Sequence, residues 1–331
     1  MEFSQDAKLT PPPGVISSLK SGFDAVANHI TVLLLPVMLD LFLWFGTHLR
    51  IERLMQPLIV ELGRFATGGN FSPDDIQRAQ DLWTMFSQDV DIMALLRTFP
   101  IGVTSLMSGI LPANTPLGQA PTLQVDSFFG LFGWIGLLTV VGWILGGAYF
   151  AWVSIIVSND KENRLTRAGK AIVQACFFSL LWAILLFALG IPGVIVFSLF
   201  FLISPLLAQA ALLFFVLFAM WLIVPLFFAP HGIFTDQQNV FRSVVSSLHL
   251  SRFTMPTSSM FVLGVFLLSQ GLNMLWSVPS DSSWMMLIGI FGHAFITTGL
   301  LAASFIYYRN MNAWLQVVLE QLDSKTTSAQ A

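Results

Sequence analysis

Two ionisable side chains stand deep inside long apolar runs, and they are the first residues whose chemistry needs an account. Asp40 is the eleventh residue of the run that starts at Ile30, and His293 is the tenth of the run that starts at Trp284. A charged group at that depth in a bilayer is costly, so it marks either an ion or proton pathway or a buried hydrogen bond. If the helices that carry them are neighbours, a carboxylate and an imidazole meet near the midplane as a proton-responsive pair of the kind coupled transport uses. The other assignment makes Asp40 a protonated or hydrogen-bonded group and His293 a neutral bridge between helices. The second is favoured, because Gln174, Gln209, Ser269, Gln270 and Asn273 add polar groups without forming an ion-coordinating pattern.

The sequence carries no HExxH, no P-loop, no GxSxG and no paired acidic cluster that would hold a divalent metal. Cys176 is the only cysteine and lies in an apolar run, which excludes an intramolecular disulfide and a cysteine-based metal site. No catalytic residue, metal or cofactor is therefore expected. A lipid-active enzyme would have only His231, Asp236 and His249 to work with. The balance of 15 Lys+Arg against 18 Asp+Glu lacks the basic excess of a nucleic-acid partner.

These residues must be positioned by a membrane bundle. Of 331 residues, 55% are hydrophobic and only 10% charged, with a mean hydropathy of +0.76. Soluble domains carry about 25% charged residues, so this chain cannot cover a water-facing globule. Runs of about 20 apolar residues bounded by charge or proline predict spans. The chain reads as an N-terminal segment 1–29, spans at 30–49, 127–156, 171–191, 206–229, 258–276 and 284–308, and a tail 309–331. Between them lie a long loop 50–126, a basic loop 157–170, a break or re-entrant segment 192–205 at Ile191-Pro192-Gly193, and an amphipathic stretch 230–257. The expected class is all-α, a polytopic transmembrane bundle of about six spans. Lys161, Arg164, Arg167 and Lys170 crowd one short loop while 277–283 has no basic residue. Both termini are therefore expected in the cytoplasm, in a prokaryotic inner membrane, with no cleaved signal peptide.

The loop 50–126 is too long for a plain connection and should be a helical extracytoplasmic insertion. Ser72-Pro73-Asp74-Asp75 is a helix start, and Ile76, Ala79, Leu82, Trp83 and Phe86 follow at helical spacing. Residues 101–111 are apolar and long enough to dip into the interface only. Two amphipathic helices precede spans, one with Val15, Ile16, Leu19, Phe23 and Val26 on a face, the other with Val240, Phe241, Val244, Val245 and Leu248. Both should lie among headgroups, where Arg242 and Arg252 reach anionic lipid. Val15-Ile16-Ser17-Ser18-Leu19 and Val244-Val245-Ser246-Ser247-Leu248 match at four of five positions, a hint of a repeat. Gly130, Gly133, Gly136, Gly142 and Gly146 form a small-residue ridge for close helix packing, internal or with a partner subunit.

From Ile223 the chain reads Ile-Val-Pro-Leu-Phe-Phe-Ala-Pro-His-Gly-Ile-Phe-Thr-Asp, then a helix ending Ser246-Ser247-Leu248-His249-Leu250-Ser251-Arg252, then a span. This resembles the integral membrane domain of bacterial glycerophosphodiester phosphodiesterases and related uncharacterised six-helix families over residues 222–308. The phosphodiesterase domain itself has no counterpart here, so the resemblance implies a fold and not that activity. The expected function is that of a non-enzymatic accessory or structural subunit, or an envelope-maintenance protein. Its partners would be the lipid bilayer and other membrane subunits or a second copy. The alternative is a proton-responsive transporter or exporter of a small or lipid-like molecule.

Overall fold

The structure, a computed structural model, describes residues 12–67, 72–112, 114–158 and 164–330; Lys161 of the basic loop lies outside them. The chain is 81% helical. In order it forms α1 (Val15–Asn28), α2 (Leu34–Phe45), β1 (His48–Arg50), α3 (Glu52–Thr67), α4 (Pro73–Asp89), α5 (Met107–Ile110), β2 (Asn114–Thr115), β3 (Gly118–Gln119), β4 (Thr122–Gln124), α6 (Phe128–Val157), α7 (Arg164–Ile203), α8 (Pro205–Leu226), α9 (Ala229–Thr235), α10 (Val240–Trp276) and α11 (Met286–Gln330). Among the described residues, five helices are long and apolar enough to cross a membrane: α6, α7, α8, α10 and α11. A sixth span exists only if α1 and the stretch Ile30–Phe45 act together as one broken span. This is a multi-pass, all-α membrane protein.

The chain divides into two compact units, one of residues 30–149 and 270–298, the other of residues 1–29, 150–269 and 299–331. In the first, the span expected at 30–49 is shortened. Leu34–Phe45 is 12 residues, roughly 18 Å of helix against the ~30 Å of a hydrocarbon layer. Gly46 ends it, and His48–Arg50 pairs in parallel with Thr122–Gln124 instead of extending the helix. α3 and α4 lie against each other as a hairpin, and α4 starts at the Pro73 that the sequence marks. The stretch 101–111 packs on protein. Ile101, Val103, Leu106 and Met107 are buried, and this irregular backbone runs against the middle of α6.

The glycine ridge explains how. A Cβ on Gly146 would stand 2.6 Å from the Gly102 Cα, and one on Gly142 would stand 2.7 Å from the Leu96 carbonyl oxygen. The inner two glycines thus admit an extended segment rather than a second helix. Gly133 and Gly136 have nothing within 4 Å, and Gly130 meets only Ser127 and Val125.

In the second unit, α7 runs unbroken through Pro192 to Ile203, so the break expected within 192–205 falls at the end of that stretch and not at Ile191-Pro192-Gly193. Pro192 removes one N–H, but in apolar surroundings no water replaces the remaining backbone bonds, and helix continues to be the cheapest way to satisfy them. The chain turns at Ser204 instead, because proline disfavours helical backbone in the residue before it and suits the first helical position. α8 then packs back along α7, where a Cβ on Gly193 would stand 2.7 Å from the Phe215 ring. α10 kinks at Thr254, two residues before Pro256, which separates its amphipathic start from its span.

The expected apolar faces divide between packing and exposure: Val15 and Leu19 pack on the core cluster and Val26 and Val240 are buried, whereas Ile16, Phe241, Val245 and Leu248 are exposed. α1 buries Ser18, Gly22 and Val26, with Gly22 on the backbone of Ala303, while Ile16 is 82% exposed. α10 buries Val240, Ser243, Ser247, Leu250 and Ser251, while Phe241, Val245 and Leu248 are exposed. In lipid, apolar side chains gain nothing by hiding, whereas hydroxyls gain partners by facing inward. Ser247 and Ser251 both donate to the Pro225 carbonyl near the end of α8, at 2.6 and 3.3 Å, and Ser243 donates to the Ala229 carbonyl. Ser18 and Ser247, which hold the same place in the two five-residue strings, are both fully buried.

Gly142→Val and Gly146→Val should each cost about 1–3 kcal/mol, since the facing atoms are backbone and cannot rotate away. Gly133→Ala and Gly136→Ala should be neutral or stabilising by up to about 1 kcal/mol through helix propensity. Thermal unfolding of the four variants in one detergent separates the two halves of the ridge.

Candidate functional site

Asp40 lies on α2 and is fully buried. Its Oδ1 accepts from the Ser105 hydroxyl at 2.5 Å and from the Met107 N–H at 3.0 Å, and its Oδ2 accepts from the Leu106 N–H at 3.1 Å. Ser105 Oγ accepts in turn from the Ser108 N–H at 3.0 Å. Asp40 and Ser105 together therefore satisfy the N–H groups at the start of α5, which packs on α2. Both carboxylate oxygens are in use, and neither bonds to His293.

His293 is buried, and its Nδ1 has no hydrogen-bond partner among the described residues. Arg97, in the irregular stretch before Pro100, lies close enough to act electrostatically on both Asp40 and His293, and its guanidinium donates to Ser108 Oγ at 3.1 Å. A ladder of hydroxyls continues inward, Thr104 with Thr297 at 2.9 Å and Tyr149 donating to Thr298 at 2.9 Å. Arg97 was the residue missed in the sequence, where it counts only as one base of a long loop. Its signal is a lone cation inside the apolar stretch 92–111.

A second buried polar pair holds the base of the insertion. His48 Nδ1 meets Asp91 Oδ2 at 2.5 Å, while Asp91 Oδ1 accepts from the Leu49 and Met93 N–H groups at 2.9 and 3.0 Å. Burial pushes the Asp91 carboxyl up, but His48 and the two backbone N–H groups outweigh it and hold its pKa below the usual carboxylate value.

In the other unit, His231 is buried between Phe227, Phe228, Phe305 and Tyr308. Its Nε2 lies 2.7 Å from Ser304 Oγ. The Ser304 hydroxyl also donates to the Leu301 carbonyl, which leaves its oxygen able to accept from Nε2. Burial drives the His231 pKa down to about 3, against the pull of the Phe227 and Phe228 carbonyls. The Asp236 carboxylate accepts from the Tyr308 hydroxyl at 2.8 Å, and burial raises its pKa against that bond. His249 lies apart, its ring edge-on to Phe253. His231, Asp236 and His249 are thus not brought to one reacting centre. Among the described residues no group of three or more His, Cys, Asp or Glu is placed to hold a metal ion. Arg242 lines a polar cavity, and Arg252 is exposed elsewhere on the same helix.

Comparison with family models, curated proteins and solved structures finds no match to this chain.

A buried neutral His231 carries a pH signature. Its folded pKa is below the ordinary 6.5, so the stability it contributes is complete above pH 6.5 and is lost as pH falls from there towards about 3. His231→Gln should lower the thermal midpoint at neutral pH yet flatten its decline between about pH 6.5 and about pH 4.5. Parallel declines in variant and wild type would assign the acid sensitivity to another group.

Proposed function

We propose that this chain is a non-enzymatic accessory or structural subunit, or an envelope-maintenance protein, of a prokaryotic cytoplasmic membrane. The observation that carries the reading is the saturation of Asp40. A proton-relay carboxylate must exchange its proton with a path, whereas this one is spent on a hydroxyl and two backbone N–H groups. The open half of the α6 ridge at Gly133 and Gly136 supports the same reading, since it leaves room for a helix of another subunit or a second copy. The basic residues of the short loops favour cytoplasmic termini, and the likeness of 222–308 to the phosphodiesterase membrane domains is consistent with a scaffold that serves a partner.

The second reading is a proton-responsive transporter or exporter. It is favoured by the unpartnered Nδ1 of His293 close to Arg97. Proteoliposome flux measured against pH, with a mixed pool of metabolites and lipids, distinguishes the two. The accessory reading expects no saturable uptake by wild type, and expects Asp40→Asn to lose about 2–3 kcal/mol of stability, because an amide turns a donor towards the Leu106 N–H or towards the Ser105 hydroxyl and Met107 N–H. His293→Ala should change stability far less. Saturable, pH-dependent uptake that both substitutions abolish would replace this reading with transport.

A further inference from the structure

Four basic residues stand at the ends of long apolar helices, the level at which headgroups lie: Arg167 and Lys170 at the start of α7, Arg242 in the first turn of α10, and Arg309 after Tyr307-Tyr308. The fold gathers them around two neighbouring cavities. One, of about 230 Å³, is lined by Lys170, Gln174, Asp236, Gln238 and Arg242. The other, of about 150 Å³, is lined by Arg167, Arg309, Ser154 and Ser158. Ala171 and Gln237 belong to the walls of both, and Gln237 takes a left-handed backbone with φ of 54°.

The frame of the larger cavity is held by its own hydrogen bonds. Gln174 Oε1 accepts from the Val240 N–H at 3.1 Å, tying α7 to the first turn of α10, and Asn239 Oδ1 accepts from the Arg242 N–H at 2.9 Å. Both bonds occupy N–H groups of the first turn of α10, beside the Arg242 side chain. Among the described residues neither Lys170 nor Arg242 has a carboxylate within 4.0 Å, because Asp236, the acid of the cavity, is taken up by Tyr308 and Gln238. Gln238 Oε1 is a buried acceptor with no donor. Beyond the charged rim the surface turns apolar: Phe177 and Phe241 are exposed, with ring centroids 6.2 Å apart, and Val173 between Lys170 and Phe177 is 67% exposed.

We propose that this cavity binds the phosphate headgroup of an anionic phospholipid, with Lys170 and Arg242 on the phosphate and an acyl chain along Val173, Phe177 and Phe241. Two cations with no carboxylate partner among the described residues attract the phosphate. The apolar strip sets a lipid apart from a free phosphate, which has no use for it. Arg252, on the same helix but off the cavity, carries charge without the site.

The test uses the full chain in mild detergent, with lipid retention read by native mass spectrometry. Phosphatidylglycerol is compared with phosphatidylcholine, and inorganic phosphate and glycerol phosphate are offered as competitors. Wild type should prefer the anionic lipid roughly tenfold. The preference should fall close to unity in Lys170→Gln/Arg242→Gln, survive in the charge-keeping Lys170→Arg/Arg242→Lys, and remain in Arg252→Gln. Phe177→Ala/Phe241→Ala should weaken lipid retention while leaving the competitors without effect. An unchanged preference in the glutamine pair, or an equal fall in Arg252→Gln, overturns the site. Displacement of lipid by inorganic phosphate at matching concentration would make a soluble phosphate the ligand and overturn the lipid assignment. The charge-keeping pair also covers the case in which the glutamine pair does not fold, since loss of preference there, in folded protein, equally refutes the proposal.

Discussion

Three hydrogen bonds converge on the Asp40 carboxylate, and the arrangement of the unit formed by 30–149 and 270–298 depends on them. Backbone that is neither helix nor closed sheet survives away from water only where protein groups satisfy its N–H and C=O. The stretch from Arg97 to Leu106 is such backbone. Asp40 and Ser105 meet its N–H groups at one end, and Thr98 Oγ1 donates to the Ile101 carbonyl at 2.7 Å within it. Gly142 and Gly146 let it approach α6 closely enough to exclude other atoms. Remove the carboxylate and the segment has unpaired groups in a place where nothing else can pair them.

The other unit answers the same constraint with hydroxyls. The end of α8 leaves the Pro225 carbonyl without a helical partner, and Ser247 and Ser251 of α10 donate to it, while Ser243 donates to the Ala229 carbonyl at the start of α9. This is why α10 turns serines inward and phenylalanine and valine outward, the reverse of an amphipathic helix on a soluble core. Over half of the most apolar part of α11 is buried, against none of that of α7, so α11 carries more of the packed core. The aromatic core around Phe261 and Tyr307, stacked at 4.1 Å, sits on α11 accordingly.

The class of the protein and its long helices are legible in composition and run length, because hydropathy is a local sum. The start of α4 at Pro73 and the separation of amphipathic and spanning parts of α10 near Pro256 are local too, set by a missing N–H and a restricted φ. Asp40 and His293 can be singled out as costly residues in the same way. Their partners cannot. Asp40 finds Ser105 at a separation of 65 residues and Thr104 finds Thr297 at 193, and no spacing along the chain encodes either meeting.

What the sequence determined alone is thus where apolar length, proline and buried charge occur. Tertiary structure decided what each of these does. It shortened the first span by offering His48–Arg50 a strand partner, carried α7 through Pro192, and gave the glycine ridge an extended segment to receive instead of a helix. The physical reason is common to all three. A backbone group removed from water must be paired, the pairing group comes from wherever the fold brings one, and that proximity is a property of the packed chain rather than of any window of it.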